Sequence, residues 1–441
     1  MNKNSNTNTS RRRFLQQATW ALTGLVIVPR HVLGGLRSDG SRYLAPSDHI
    51  SLGFIGCGKQ GRGLGRAFLN TNEIKITAIS EVYQDKSKLM VDQVKALYEQ
   101  NPTWGKYSDV AVYNDFRELL ARKDIDAVVI ATPDHWHGVM AVKAAEAGKD
   151  IYCEKPLALT VREGRARVNA TRRHQRVFQT GNMQRSWKEF RQAVELVRNG
   201  YLGKIKSIKV NIGPPPVAYD LPEEPIPAGL DWTMWLGPNT YKPFNAELAP
   251  PITKDVFPNW RNYKEFGGGM VTDWGAHMID IAQWALDMDD SGPVKLYTPD
   301  GQDHRHLTFE YKNGVTMTHE PWEWNNAVWF TGAEGELKVG RGKLETTPVS
   351  LKDRVIGPAE KHVYYSENHL KDFLNAMRKR SQPISDVEIG HRTATVCNIA
   401  NIAYALKRPL RWNPKKELFK NDAEANALLG RPVLDEWKSA L

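Results

Sequence analysis

Residues 50–69 read Ile50-Ser51-Leu52-Gly53-Phe54-Ile55-Gly56-Cys57-Gly58-Lys59-Gln60-Gly61-Arg62-Gly63-Leu64-Gly65-Arg66-Ala67-Phe68-Leu69. The apolar run 52–55 predicts a buried strand. It breaks into Gly56-Cys57-Gly58-Lys59-Gln60-Gly61. Residues 62–70 then predict a helix and residues 74–79 a second strand, with Glu81 at its end, twenty residues after Gly61. A glycine triplet alone carries little information. Strand before, helix after, and an acid at this distance make it a dinucleotide-binding unit. Gly56 allows the tight turn, Gly58 lets backbone approach a pyrophosphate, and Gly61 lets helix and strand pack closely; the helix N-terminus faces the phosphates. Lys59 and Gln60 belong to the same loop. Glu81 would take the adenosine ribose hydroxyls and repel a 2′-phosphate, so NAD is expected over NADP. Lys86 and Lys88 lie close enough in sequence to temper that preference.

Downstream the pattern repeats. Residues 86–100 predict a helix, and residues 115–120 a short one. Ala127-Val128-Val129-Ile130-Ala131 is continuously apolar, as in a strand covered on both faces. It ends in Thr132-Pro133-Asp134-His135-Trp136-His137. A helix over 138–147 follows, then strand 150–153, ending in Glu154-Lys155-Pro156. Strands alternating with helices imply a parallel, doubly wound α/β sheet, with ligands at the carboxyl ends of its strands. Both polar clusters fall at such ends. After about residue 176 the pattern changes. A helix over 190–199 and an alternating strand over 205–212 precede Pro-rich loops. Strands over 306–311 and 315–319 flank the turn signal Asn313-Gly314, and residues 328–331 and 336–339 suggest two more. The implied division is a leader over 1–34, a linker over 35–48, a Rossmann domain over 49–175, and an α/β domain with an open, mostly antiparallel sheet over 176–363. Helices over 364–412 are expected to pack back on the first domain, leaving a tail over 413–441.

The chain has 441 residues, 41% hydrophobic and 10% aromatic, with a net charge of +10. Residues 1–50 hold seven Lys/Arg against two Asp, so half of that excess lies in the leader. The remainder is spread out, with no basic run interleaved with aromatics, which argues against a nucleic-acid partner. Ser10-Arg11-Arg12-Arg13-Phe14-Leu15-Gln16 precedes an apolar stretch over 18–28. That stretch is too short for a membrane span and carries the flank of a signal peptide. The paired arginines resemble a twin-arginine export signal, with cleavage near 32–34; the alternative is an uncleaved amphipathic anchor. A periplasmic location follows, with no stable membrane span after cleavage. Cys57, Cys153 and Cys397 cannot form a disulfide framework. Their scarcity suits a protein that folds, and loads its cofactor, in the cytoplasm.

The chain resembles the glucose–fructose oxidoreductase / inositol dehydrogenase / MocA family. The resemblance rests on Gly56 to Gly61, Glu81, Ala131-Thr132-Pro133, Glu154-Lys155-Pro156, and Gly267-Gly268-Gly269 followed by Asp273 and His277. It implies a catalytic Lys155, Asp273 and His277 beside the nicotinamide, and subunits that pair through the open sheet as a homo-oligomer. The residues agree with this chemistry. Lys155, at a strand end, can stabilise a developing alkoxide. A helix over 271–286 puts Asp273 and His277 on one face, where His277 is the candidate general base and Asp280 could orient its ring. Alone, an Asp-x-x-x-His pair reads as a surface ion pair; Lys155 and the dinucleotide loop reverse that. Thr132, Trp136, His137, Glu154 and Asn182 are placed around the cofactor, with Trp136 and His137 flanking the nicotinamide. Arg185, Trp232 and Trp235 are assigned to substrate. The aromatics (Trp232, Trp235, Tyr241, Trp260, Tyr263, Trp322, Trp324) suit sugar faces and a hydrophobic core equally. A metal site built from His135, His137, Asp273 and His277 is the rival reading; with a lysine and a nicotinamide present no metal is expected.

Two functions remain. One is NAD-dependent hydride transfer on a sugar, glycoside or cyclitol hydroxyl. The other is a glycosidase that oxidises, eliminates, adds water and reduces again, as the resemblance to N-acetylgalactosaminide-cleaving relatives allows. That branch lacks the lysine of Glu-Lys-Pro, so Lys155 favours plain redox. The intact Lys155, Asp273 and His277 argue against a purely sensing or structural protein.

Overall fold

The computed structural model describes residues 35–36, 42–43, 48–101 and 109–439. The expected leader, with its twin-arginine pattern, lies outside them. Residues 1–49 and 50–441 are separate units. In the first, Gly35–Leu36 pairs antiparallel with Arg42–Tyr43, inside the stretch expected to be a plain linker. No helix among the described residues is long and apolar enough to cross a membrane.

Six parallel strands form the first sheet: β1 (Ile50–Ile55), β2 (Ile74–Ser80), β3 (Ala111–Tyr113), β4 (Ala127–Ile130), β5 (Asp150–Cys153) and β6 (Phe178–Thr180). Their order is β3-β2-β1-β4-β5-β6, so the chain reverses direction beside β1 and opens a crevice at the carboxyl ends of β1 and β4. Helices Lys59–Leu69 and Gln84–Gln100 begin two to three residues earlier than the sequence predicts. β1, β4 and β5 are buried along their whole length, as their continuous apolar sequences require.

The second sheet has nine strands: β7 (Ile205–Asn211), β8 (Lys295–Tyr297), β9 (Leu307–Glu310), β10 (Thr316–His319), β11 (Ala327–Gly332), β12 (Glu336–Gly340), β13 (Lys343–Thr347), β14 (Leu410–Asn413) and β15 (Leu418–Phe419). The order is β13-β12-β11-β7-β10-β9-β8-β14-β15, antiparallel throughout except where β7 lies parallel to β10. The β9–β10 hairpin turns at Asn313-Gly314 as predicted, with Gly314 at φ +84°. Helices Lys188–Arg198, Gly275–Ala285 and Val387–Leu406 share a core with the sheet through Phe190, Val194, Ile279, Ile281, Val396 and Ile399.

Helix His369–Lys379 does pack on the first domain: Phe373 meets Phe68 and Tyr152 edge-on at 6.4 and 5.9 Å. The expected tail is built into the fold. β14 and β15 close one edge of the second sheet, and Trp437 sits in the first domain's core, 5.1 Å from Trp136. Arg431 bonds Glu163 at 2.6 Å and the His135 carbonyl at 2.8 Å. The Arg431 bonds join residues 268 and 296 positions apart, beyond what local sequence patterns reveal.

Candidate active site

The glycine loop is dictated by clearance. Gly56 has φ +92°, and a Cβ there would lie 2.7 Å from the Ala131 carbonyl oxygen; one on Gly61 would lie 2.1 Å from the oxygen of Gly56. Both positions exclude any side chain. A Cβ on Gly58 would point into open space. That space belongs to a cavity of about 650 Å³ at the strand ends. The loop therefore offers a bare backbone and a helix N-terminus to an anionic group, as a dinucleotide's pyrophosphate requires. Glu81 faces the same cavity. Its carboxylate is aimed by two backbone donors, Cys57 N at 2.7 Å and Tyr83 N at 3.0 Å. Lys86 also lines the cavity, and its pKa is lowered by burial against the pull of Glu81. Lys88 is turned away to Asp92 at 2.9 Å, so only Lys86 can temper the preference set by Glu81.

At the other end of the cavity stand Lys155, Asp273 and His277. Lys155 Nζ donates to Asp273 Oδ1 at 2.7 Å and to the Asp273 carbonyl at 3.2 Å. Burial pushes the Asp273 carboxyl upward, but Lys155 and then Arg261, 3.6 Å away, outweigh it and hold the group below the usual carboxylate range. His277 is buried, and burial, Lys155 and Arg341 together depress its pKa well below the ordinary value. The imidazole is therefore neutral at physiological pH. Its Nδ1 is buried and has no partner among the described residues, while the ring as a whole lines the cavity wall. The predicted single helix over 271–286 is divided at Trp274 into Gly269–Asp273 and Gly275–Ala285. Trp274 stands edge-on to His277, with ring centres 5.6 Å apart.

Glu154 and Thr132 line the cavity between these ends. Gln60 donates to Glu154 Oε1 at 2.7 Å, which ties the glycine loop to the Glu-Lys-Pro turn. Trp136 reaches the wall, but its indole N–H is spent on the carbonyls of Met234 and Trp235 at 3.1 and 3.0 Å. His137 lies behind the wall, its ring nitrogens 3.0 Å from the carbonyl oxygens of Pro156 and Thr132. It joins the two strand-end turns and does not flank the cavity. His135 points to the Trp235 carbonyl at 2.9 Å. The histidines of the rival metal reading thus diverge, and the described residues contain no cluster of three metal-ligating side chains.

Four further expectations are corrected. Asn182 is buried away from the cavity and donates to the Ala276 carbonyl at 2.7 Å, so it fixes the start of the His277 helix. Arg185 is fully buried in a two-pronged ion pair with Asp280 at 2.8 Å and a second pair with Asp289, far from a substrate role. Asp280 serves Arg185 and the Thr393 hydroxyl, not the ring of His277. Trp232 and Trp235 stack at 4.6 Å in a core cluster, and only Trp235 reaches the cavity.

The sequence reading missed the far wall. Residues 250–262 lie across the cavity from the glycine loop. Asp255 pairs with Arg62 at 2.5 Å, and its carbonyl accepts from Lys59 at 2.7 Å. Phe257 lies under Lys59 and Arg261. This strap carries no hydrophobic period; its only signal was a Pro-rich, aromatic composition.

Residues 50–182 match the family described as oxidoreductase family, NAD-binding Rossmann fold, and residues 217–439 match its C-terminal alpha/beta domain. The chain belongs to the Gfo/Idh/MocA oxidoreductase family. Its Rossmann domain binds NAD, and the glycine loop and Glu81 have the form this needs. Among curated proteins it is similar to a glycosyl hydrolase family 109 protein of Shewanella baltica, 29% identical over 211 residues. That match covers 45% of this chain and 44% of the relative. A protein of the same description from Shewanella putrefaciens is 31% identical over 163 residues, 37% of this chain and 35% of the relative. The chain thus spans under half the length of these relatives. Among solved structures, levoglucosan dehydrogenase in complex with NADH and levoglucosan is 19% identical with a TM-score of 0.54, covering 82% of this chain and 99% of that one. Aldose-aldose oxidoreductase from Caulobacter crescentus is 18% identical with a TM-score of 0.55 and the same coverage. These two establish the likeness of fold.

Proposed function

We propose that this family member moves a hydride between a tightly held NAD and a hydroxyl-bearing or keto carbon of a sugar, glycoside or cyclitol. The carrying observation is the 2.7 Å Lys155–Asp273 pair beside a neutral His277, in one cavity with the glycine loop. Bound NAD supplies the hydride acceptor in oxidation and the donor in reduction. The chain's own residues manage the proton. His277 takes it from the substrate hydroxyl, and the Lys155 ammonium stabilises negative charge growing on that oxygen. Asp273 holds Lys155 in place through the 2.7 Å bond. Trp274 and the strap exclude water from the reacting carbon.

The glycosidase reading has one observation in its favour, the family 109 description of the curated relatives. Lys155 weighs for net redox. The leader adds a constraint to either reading. A protein exported to the periplasm meets no pool of free NAD, so its cofactor stays bound and is re-oxidised in place by a second carbonyl substrate. A homo-oligomer paired through the open sheet completes the proposal. The test is mass spectrometry of the purified protein's bound cofactor, then a panel of sugars and aryl glycosides followed by nicotinamide absorbance and by aglycone release. Turnover of alcohol and ketone pairs without aglycone release supports redox. Aglycone release without net change in nicotinamide supports the glycosidase. A protein that emerges empty and stays inactive with supplied NAD refutes both.

A further inference from the structure

The cavity does not end at His277. Two of its wall residues, Trp274 and Arg341, also line a second chamber of about 340 Å³. Its other walls include Trp324, Asn325, Asn326 and Lys343. The loop that carries Trp324 is anchored. Asn211, at the end of β7, donates to the carbonyls of Trp322 and Trp324, each at 3.1 Å, and to the Asn325 side-chain oxygen at 3.2 Å. Trp322 and Trp324 stack nearly parallel, 5.9 Å apart.

Two cations enter this chamber. The Arg341 guanidinium lies 4.6 Å over Trp274, and the Lys343 ammonium lies 4.6 Å over Trp324. Among the described residues neither has a carboxylate within ion-pair distance. The chamber's own carboxylate, Glu323, is already taken by Lys338. Indole faces bordered by side-chain amides are suited to a sugar ring. A guanidinium held in no ion pair, with an ammonium on the same chamber wall, is suited to a carboxylate or a sulfate. Arg341 stands between the chambers, where a ligand must pass to occupy both.

We propose that the outer chamber is a subsite for a second, anionic sugar residue. The substrate is then an acidic di- or oligosaccharide, with its reacting ring against Lys155 and His277 and its charged residue between Arg341 and Lys343. The identity of the reaction rests on the redox reading above; the binding subsite does not. Lys343 is exposed and flexible, so its ammonium can leave the Trp324 face to meet the anion while the ring takes that face.

The experiment uses the full chain with its bound cofactor. Matched disaccharides of gluco, galacto and manno configuration, each as the neutral sugar, the uronate and the 6-sulfate, are titrated by calorimetry and by saturation-transfer NMR. In at least one set the acidic member binds about tenfold or more tightly than its neutral counterpart, and added salt weakens that preference. Lys343→Gln and Trp324→Ala each lower binding of the acidic member about tenfold, and Lys343→Gln leaves the neutral one within twofold. Preference for the uronate assigns a carboxylate, and preference for the 6-sulfate assigns a sulfate. If Trp324→Ala does not fold, Lys343→Gln, at an exposed position, decides alone. Neutral members binding as tightly as acidic ones in every set, or an acid preference that survives Lys343→Gln, overturns the subsite. Acid-selective binding without nicotinamide reduction keeps the subsite and sinks the redox reading.

Discussion

Replacing Lys155 by Met removes the ammonium and keeps most of the stem. Two effects follow, and they separate by pH. The first is kinetic. Loss of a preorganised cation at a developing alkoxide lowers turnover by about 10²–10³, or about 3–4 kcal/mol of transition-state stabilisation. The second concerns Asp273. Both side chains of the pair are under one-fifth exposed, at 17% and 15%. Breaking a buried pair costs about 3–5 kcal/mol when nothing replaces the lost partner. Arg261 remains 3.6 Å from the carboxylate, so a loss of about 2–3 kcal/mol is expected at neutral pH.

The sign fixes the pH window. In the native protein the Asp273 pKa lies below its ordinary value near 3.8. Its ionisation therefore contributes stability above that value, which is lost as pH falls through the folded pKa. In Lys155→Met, burial is opposed mainly by Arg261 and the folded pKa rises. Ionisation then costs stability as pH climbs from about 4 toward 7. The melting gap between the two proteins should widen by several degrees from pH 4 to pH 7 and close only as the pH falls through the native Asp273 pKa, below about 3.8. Steady-state turnover at saturating substrate, read by nicotinamide absorbance, gives the kinetic half. Turnover within threefold of native would remove Lys155 from the chemistry. A melting gap that does not change with pH would show that Lys155 does not set the charge of Asp273.

Other outcomes follow from the same site. The native protein should bind NAD more tightly than NADP, and Glu81→Ala should narrow that ratio by about tenfold or more, measured by competitive titration of the stripped protein; tighter NADP binding by the native chain would contradict the role given to Glu81. His277→Gln should lower turnover by about 10²–10⁴, with an effect far from additive with Lys155→Met. Because the pKa of His277 is depressed, the native pH–rate profile should show no acid limb near 6.5. Gel filtration followed by cofactor assay should find about one dinucleotide per chain; retention for hours requires nanomolar affinity or tighter. Asp255 is 59% exposed, so its pair with Arg62 contributes only about 0.2–1 kcal/mol, and Asp255→Ala should speed cofactor loss a few-fold at most.

What could be read in advance was local. Gly56 and Gly61 are forced by contacts five residues apart or through the next strand end, and the strand–loop–helix order places them without further information. Lys155 was legible for the same reason: it closely follows the short strand 150–153, and the topology sends that end to the crevice. His277 was legible as a face, since helical spacing groups it with Asp273. Its partners were not. Asp280 shares that helix at the right spacing to orient the ring, but Arg185, 95 residues earlier, captures it. The strap over 250–262 and the docking of Trp437 depend on contacts that no periodicity encodes.

The fate of Arg185 shows how such a long-range pair still serves the site. The segment after β6 carries Asn182 and Arg185, three residues apart. Asn182 holds the Ala276 carbonyl, and Arg185 grips Asp280 one turn further along the same helix. Burial holds the Asp280 carboxyl above its usual range, and the paired guanidinium and the Thr393 hydroxyl offset only part of that rise. The helix is thus clamped at two points, with a third tie to helix Val387–Leu406. His277 lies between the two clamped positions. A residue assigned to substrate on its place in the sequence therefore acts one layer back. It fixes the rotation of the helix about its axis, and that rotation decides whether the ring of His277 meets the cavity or the core.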